Sequence, residues 1–255
     1  MKGGAHLTSA TTEASACDAA GMEVDLAAVA ALIADPSRAA MLNALFGGEP
    51  LTAGELARRA GVAPSTTTGH LARLEAGGLV ASARDGRTRR VRLAGPEVAR
   101  ALEALAAIAP PARPRGLKAW QHGEALRGAR SCYDHLAGVA GVALADALVA
   151  RGVLEPGEGA FAITARGEDG LAAFGLDVPA LHGARRATAR ACLDWSERRP
   201  HVAGALGTAL LDELLRRRWL RRRTDGRALT LTAAGGDGLA AAFGVELATI
   251  GTKSD

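Results

Sequence analysis

The stretch Thr52–Leu93, TAGELARRAGVAPSTTTGHLARLEAGGLVASARDGRTRRVRL, leaves a chain of this kind few folds to choose from. Thr52 followed three residues later by Glu55 is a capping box, which satisfies two otherwise unpaired amides at a helix start. Leu56 and Ala60 share one face of that helix, and Gly61 stops it. Pro64 suits the first turn of a second helix, where Thr67, Leu71 and Leu74 fall on one stripe. Gly77 and Gly78 end it. Leu79 and Val80 begin a strand, and Asp85-Gly86 is the expected hairpin turn. Arg84, Arg87, Arg89, Arg90 and Arg92 crowd around that turn against one acid, Asp85.

Two short helices joined by a tight turn set the second across the first, where it can enter a major groove. Its side chains facing outward are Ser65, Thr66, Thr68, His70 and Arg73. Hydroxyls bond phosphate oxygens or base edges. Gly69 leaves room for close approach to a duplex. The arginine hairpin suits a neighbouring groove or the phosphates. The expected DNA-binding set is therefore Ser65, Thr66, Thr68, Gly69, His70, Arg73, Arg84, Arg87, Arg89 and Arg90.

These residues, with IADPSRAAMLNALFGGEPLT before them, resemble the winged helix-turn-helix of the ArsR/SmtB family of bacterial repressors. The resemblance covers roughly residues 24–109. It implies a cytoplasmic, dimeric repressor whose first and last helices build the dimer and whose two-fold axis matches a palindromic operator in double-stranded DNA. Family members often sense metals through cysteines on the first helix of the motif, or through Asp and His on the last helix. Here GELARRAG has no cysteine, and PEVARALEALAAIA has neither histidine nor aspartate, so those two sites are absent.

The rest of the chain divides by composition. Residues 1–21 are small and polar and read as a disordered tail carrying Cys17. Residues 22–109 form the winged-helix domain. Asp35 caps a helix there that Pro36 opens, with Met41, Leu42, Leu45 and Phe46 on its apolar face. Another helix over residues 96–108 carries Val98, Leu102 and Leu105 on one stripe. Pro110, Pro111 and Pro114 mark a stiff linker over residues 110–118. Residues 119–255 contain an internal repeat, about 129–178 and 189–247. ARSCYDHLAGVAGVALADALVARGVL recurs as ARACLDWSERRPHVAGALGTALLDELLRRRWL. Cys132 matches Cys192, Asp134 matches Asp194, and His135 matches His201 after an insertion. Gly138 and Gly141 match Gly204 and Gly207. Each copy is expected to run through helices, two strands and a closing helix, and Asp225-Gly226-Arg227 echoes Asp85-Gly86-Arg87. The fold expected is mainly α with small β-hairpin wings: a winged helix-turn-helix followed by two repeated winged-helix-like units. One helical domain whose halves pack as a pseudo-dimer is the alternative.

No apolar run reaches the length of a membrane span, the start has no apolar core for a signal peptide, and the three cysteines form no CxxC pair. Net charge is only +4, but the arginines cluster, and a phosphate backbone responds to clustering. A second cluster, Arg216–Arg218, Arg221–Arg223 and Arg227, is either an extra DNA contact or a solvated helix end that suits the helix dipole. A signal can enter at Cys132, His135, Cys192 and His201. Two thiolates with a histidine can hold a soft cation such as cadmium, lead or mercury, or the thiols can form a regulatory disulfide. Burial as small apolar residues, or a neighbouring small-molecule pocket, are the other readings. No further cofactor is implied. An enzyme built on Cys132, His135 and Asp134 is disfavoured, because such groups usually converge from distant positions. No phosphate-binding glycine loop or HExxH accompanies them.

Overall fold

The computed structural model describes residues 24–110, 116–224 and 226–247. The tail with Cys17, residues 111–115 of the linker, and Asp225 lie outside the described residues. The first unit is built in the order α1 (Leu26–Ile33), α2 (Pro36–Leu45), β1 (Leu51–Thr52), α3 (Ala53–Ala60), α4 (Pro64–Ala76), β2 (Val80–Asp85), β3 (Thr88–Leu93) and α5 (Pro96–Ile108). It is a winged helix-turn-helix. Asp35 caps α2 through the Arg38 amide, and Thr52 and Glu55 make the reciprocal capping box on α3. Gly61 ends α3 at φ 68°, a left-handed position that glycine adopts without strain. Met41, Leu42, Leu45, Leu56, Leu71, Leu74, Val91 and Leu93 close into one apolar core.

The wing is an antiparallel sheet in the order β1-β3-β2. Its turn lies one residue further along the chain than expected. Asp85 pairs with Thr88, so the two loop residues are Gly86 and Arg87, not Asp85 and Gly86. Gly86 takes φ 59° and so meets the turn's demand at the first loop position.

After α6 (Leu117–Gly128), the chain runs through two segments with the same element order. The first is β4 (Arg130–Cys132), β5 (His135–Ala137), α7 (Val139–Ala150), β6 (Leu154–Pro156), β7 (Phe161–Ile163) and α8 (Ala165–Ala173), with a short α9 (Val178–His182) after it. The second is β8 (Arg190–Leu193), β9 (Pro200–Ala203), α10 (Gly204–Arg216), β10 (Leu220–Arg222), β11 (Leu229–Leu231) and α11 (Ala233–Phe243). Each opens on a hairpin where helices were expected, so neither carries two helices ahead of its wing. The cause is local. Tyr133 turns the chain back at φ 61°, so Cys132 pairs with His135, and strands this short show no periodicity. The described residues are thus a mixture of helix and strand, with hairpins well beyond the wings.

The two segments interlock. Ser131 donates its amide to the Arg227 carbonyl, and Leu229 to that of Ala129; in the other direction Phe161 donates to Ala189 and Ala191 to Gly159. One apolar core, including Leu144, Leu148, Leu206 and Leu210, spans both. They also dock on the first unit. The Tyr133 amide donates to the Phe46 carbonyl at 2.7 Å, and Cys132 and Ala137 sit in the same apolar cluster as Leu45 and Leu102. Among the described residues, no helix is long and apolar enough to cross a membrane.

Candidate DNA interface and metal centre

Helix α4 buries Thr67, Leu71 and Leu74 and turns Ser65, Thr66, Thr68, Gly69 and Arg73 to solvent. A Cβ on Gly69 would meet nothing within 4 Å, so this face is open. His70 is half-buried, 3.9 Å from Asp35. Thr68 spends its hydroxyl proton on the Pro64 carbonyl, which leaves its oxygen as an acceptor. Arg84 and Arg87 are exposed at the wing tip. Arg89 and Arg90 differ from them: Arg89 donates to Glu75 of α4 at 2.6 Å and to Ser82, and Arg90 to Asp85 at 3.1 Å. Arg89 therefore ties the wing to the second helix of the motif.

Three arginines of the second cluster are held by carboxylates. Arg216 and Arg217 each reach Glu213 at 2.6 Å, and Arg222 reaches Glu49 at 3.1 Å. Those bonds to Glu213, together outweighing burial, hold its carboxyl down at about 2. Arg227 lies over the Phe46 ring, 4.9 Å from its centroid. Trp219 is only partly buried, against Phe174 and the core.

The four cysteine and histidine residues converge. Cys132 pairs with His135 across the β4–β5 hairpin, and Cys192 with His201 across β8–β9. Directly opposite residues project to one face of a hairpin, so each hairpin offers one sulfur and one imidazole. All four side chains are buried, and their ligand atoms lie within 4.8 Å of one another. Glycine allows the approach: Gly207 lies so close that an added Cβ would stand 3.1 Å from His135 Cβ and overlap the Val202 carbonyl. Gly141 makes the matching approach to His201.

Each imidazole has a carboxylate behind it. His135 Nδ1 lies 3.2 Å from Asp134, and His201 Nδ1 lies 3.3 Å from Asp194. At His135 this is a hydrogen bond to a carboxylate that only accepts, which puts a ring proton on Nδ1; His201 and Asp194 are within ion-pair reach but not aligned as a hydrogen bond. The two Nε2 atoms face each other at 3.1 Å. Two lone pairs at that distance repel unless a proton or a cation stands between them. Burial opposes charge on His135, but Asp134, Cys192 and Glu103 outweigh it and raise its pKa to about 9. Burial also works against Asp194, yet His201, Arg130 and Ser196 hold its carboxyl well below the usual range. Arg130 and Asp194 are both fully buried, 2.8 Å apart, with the guanidinium over the Trp195 ring.

Glu103 of α5 also enters this centre, a residue that no motif of the sequence singles out. Its carboxyl spans the two sulfurs, hydrogen-bonded through Oε1 to Cys132 and through Oε2 to Cys192 at 3.1 Å. Burial, reinforced by Cys192, lifts that carboxyl to about 7. Cys192 is pulled below the usual thiol range, first by its bond with Cys132 and, against burial, by the two histidines. The one clue in the sequence is the place of Glu103 beside Leu102 and four residues after Ala99, on the face of α5 that is buried.

A model of the helix-turn-helix domain matches residues 33–83, which run from the end of α1 into the wing. The HTH-type transcriptional regulator YdfF of Bacillus subtilis (strain 168) is 40% identical over 214 residues, covering 84% of this chain and 95% of that protein. The chain belongs to the HTH-type transcriptional regulators. As a member of that family it binds DNA through its helix-turn-helix domain. Two similar solved structures each cover about a third of the chain. NolR from Sinorhizobium fredii is 31% identical with a TM-score of 0.31, over 34% of this chain and 85% of that one. The cadmium sensor CMTR from Mycobacterium tuberculosis is 33% identical with a TM-score of 0.29, over 36% of this chain and 99% of that one.

Proposed function

We propose that this HTH-type regulator is an ArsR/SmtB-like homodimeric repressor of a palindromic operator, and that one divalent cation held by Cys132, His135, Cys192 and His201 sets its DNA affinity. The observation that carries this reading is the convergence of two sulfurs and two imidazole Nε2 atoms, each ring backed by a carboxylate. Two sulfurs and two imidazoles suit a tetrahedral, borderline-soft ion of the zinc and cadmium class, with bonds of about 2.0–2.3 Å. Carboxylates behind ligating histidines fix the tautomer and strengthen the donor. The surrounding residues 119–255 are the control domain, which we read as two copies of one ancestral unit. The matching element order and the reciprocal bridges between segments support that origin. The exposed apolar residues Leu26 and Val29 of α1, with Leu105 and Ile108 of α5, support a dimer seam.

The test is affinity for a duplex recovered by selection from genomic DNA, measured by fluorescence anisotropy with cadmium and then with excess chelator. A coupling of about 1–3 kcal/mol predicts a shift of roughly 5–150-fold. Cys132→Ser, Cys192→Ser and His201→Asn should each remove it. Equal affinity under both conditions would refute control by an ion. The proximity of the two sulfurs also favours a second reading, a regulatory disulfide. In that case the response follows oxidant and survives His201→Asn.

A further inference from the structure

We infer that Glu103 is the residue through which the metal centre is read by the DNA-binding unit, moving between the two cysteine sulfurs and the guanidinium of Arg190. The inference rests on the metal reading above and adds the path out of it. Four donors of the centre come from the hairpins β4–β5 and β8–β9. Glu103 comes from α5, whose Ala99 and Leu102 pack into the core of the winged helix. Its two oxygens bond the two sulfurs, so one side chain bridges both hairpins and the last helix of the DNA-binding unit.

That arrangement and a loaded centre exclude each other. A metal-bound sulfur is a thiolate with no proton to donate, and any proton the two sulfurs still carry leaves to solvent. Four protein donors close a tetrahedral shell, which leaves no place on the ion for the carboxylate. Both sulfur-to-carboxylate hydrogen bonds of Glu103 are then lost. A destination is built in. Arg190 Nη2 lies 4.0 Å from Glu103 Oε2, and Arg190 is partly exposed. Its counterpart in the first segment, Arg130, is fully buried and committed to Asp194. The two equivalent arginines thus have different duties, and the one that keeps its freedom stands beside Glu103. Glu103 sits in the middle of α5, so its change of partner is made on that helix. Toward its end the Ala107 carbonyl also accepts from Arg198, in the loop between β8 and β9. A shift at the centre therefore reaches α5 at two points, and with it the seam at Leu105 and Ile108.

The experiment uses the full chain with cobalt(II) as the probe, read by visible absorption, and a selected duplex read by anisotropy. Wild type should bind cobalt in a tetrahedral site and change its duplex affinity at least about 5-fold. Glu103→Ala should keep the tetrahedral spectrum and lose the change, with less than a twofold difference between loaded and metal-free protein. Arg190→Met should shrink the change as well. Glu103→Ala with wild-type coupling would overturn the inference while leaving the metal reading intact. Wild type without a tetrahedral cobalt spectrum would overturn both. Hydrogen exchange on wild type alone guards against a variant that fails to fold. Cobalt should alter amide protection in the second half of α5, and unchanged protection there would also overturn the inference.

Discussion

The Nε2 atoms of His135 and His201 face each other at 3.1 Å, each ring with an aspartate behind its Nδ1. The two aspartates are not equivalent. Asp134 is partly exposed and also paired with Arg186 at 2.6 Å. Asp194 is fully buried, and it holds Arg130, Ser196, the Glu197 amide and the Gly138 amide.

Changing these two aspartates should therefore give different results. Asp134→Asn should weaken the ion about 10–100-fold, the usual cost of removing a ligand's supporting carboxylate, with little loss of stability. Asp194→Ala strands a buried guanidinium and should cost about 3–5 kcal/mol. For a chain of this size that lowers Tm by roughly 6–20 °C. Competition with a chelating dye reads the first effect and thermal unfolding the second. Equal losses of stability in both variants would contradict the assignment.

At Gly69 function and stability should separate. The residue lies within α4 on its exposed face, with nothing near an added Cβ. Gly69→Ala should stabilise the chain by about 0.5–1 kcal/mol, the ordinary helix preference of alanine. The same methyl would stand between α4 and a groove, so duplex affinity should fall. A variant both more stable and unchanged in affinity would remove Gly69 from the interface.

The wing arginines divide into exposed side chains at the tip, Arg84 and Arg87, and a tether, Arg89. Arg84→Ala with Arg87→Ala should lower the slope of log affinity against log salt by about 2, roughly 0.9 for each phosphate that is no longer neutralised. Arg89 is held by Glu75, so Arg89→Ala and Glu75→Ala should weaken binding alike, and the double variant should be no worse than either. If Glu75→Ala instead strengthens binding, Arg89 acts on phosphate and the tether is wrong.

The proposed dimer seam follows from where α5 is buried. Leu102 belongs to the protein's own core, whereas Leu105 is 44% and Ile108 80% exposed. Leu105→Glu with Ile108→Glu should therefore give a folded monomer with weakened operator binding, seen by sedimentation and circular dichroism. A dimer that survives both charges would place the seam elsewhere.

Much of the first unit is legible in the sequence because its rules are local. Thr52 with Glu55, Gly61, Pro64 and the stripe Thr67, Leu71 and Leu74 act over one or two turns, and the structure shows each in that role. The hairpin turn differs by one residue from its expected place because Asp-Gly and Gly-Arg are both acceptable pairs, and cross-strand packing of Val91 and Leu93 decides between them. The hairpins that carry the cysteines are invisible to periodicity because three or four residues show no alternation. The four residues that converge are still marked in the sequence, since the repeat picks out Cys132, His135, Cys192 and His201 without reference to secondary structure. Glu103 lies 29 and 89 residues from the two cysteines it touches, and no local pattern links them. Of the arginines at residues 216–222, Arg216 and Arg217 have a partner at helical spacing, Glu213, whereas the partner of Arg222, Glu49, is assigned only by packing.

Whether one ion sits among Cys132, His135, Cys192 and His201 is tested most directly by titrating the full chain with cobalt(II) and recording its absorption spectrum. The predicted result is intense visible bands of tetrahedral cobalt with sulfur-to-metal charge transfer, saturating at about one ion per chain. Those bands should disappear in His201→Asn and in Cys192→Ser. A weak octahedral spectrum, or a tetrahedral one unchanged in both variants, would contradict it.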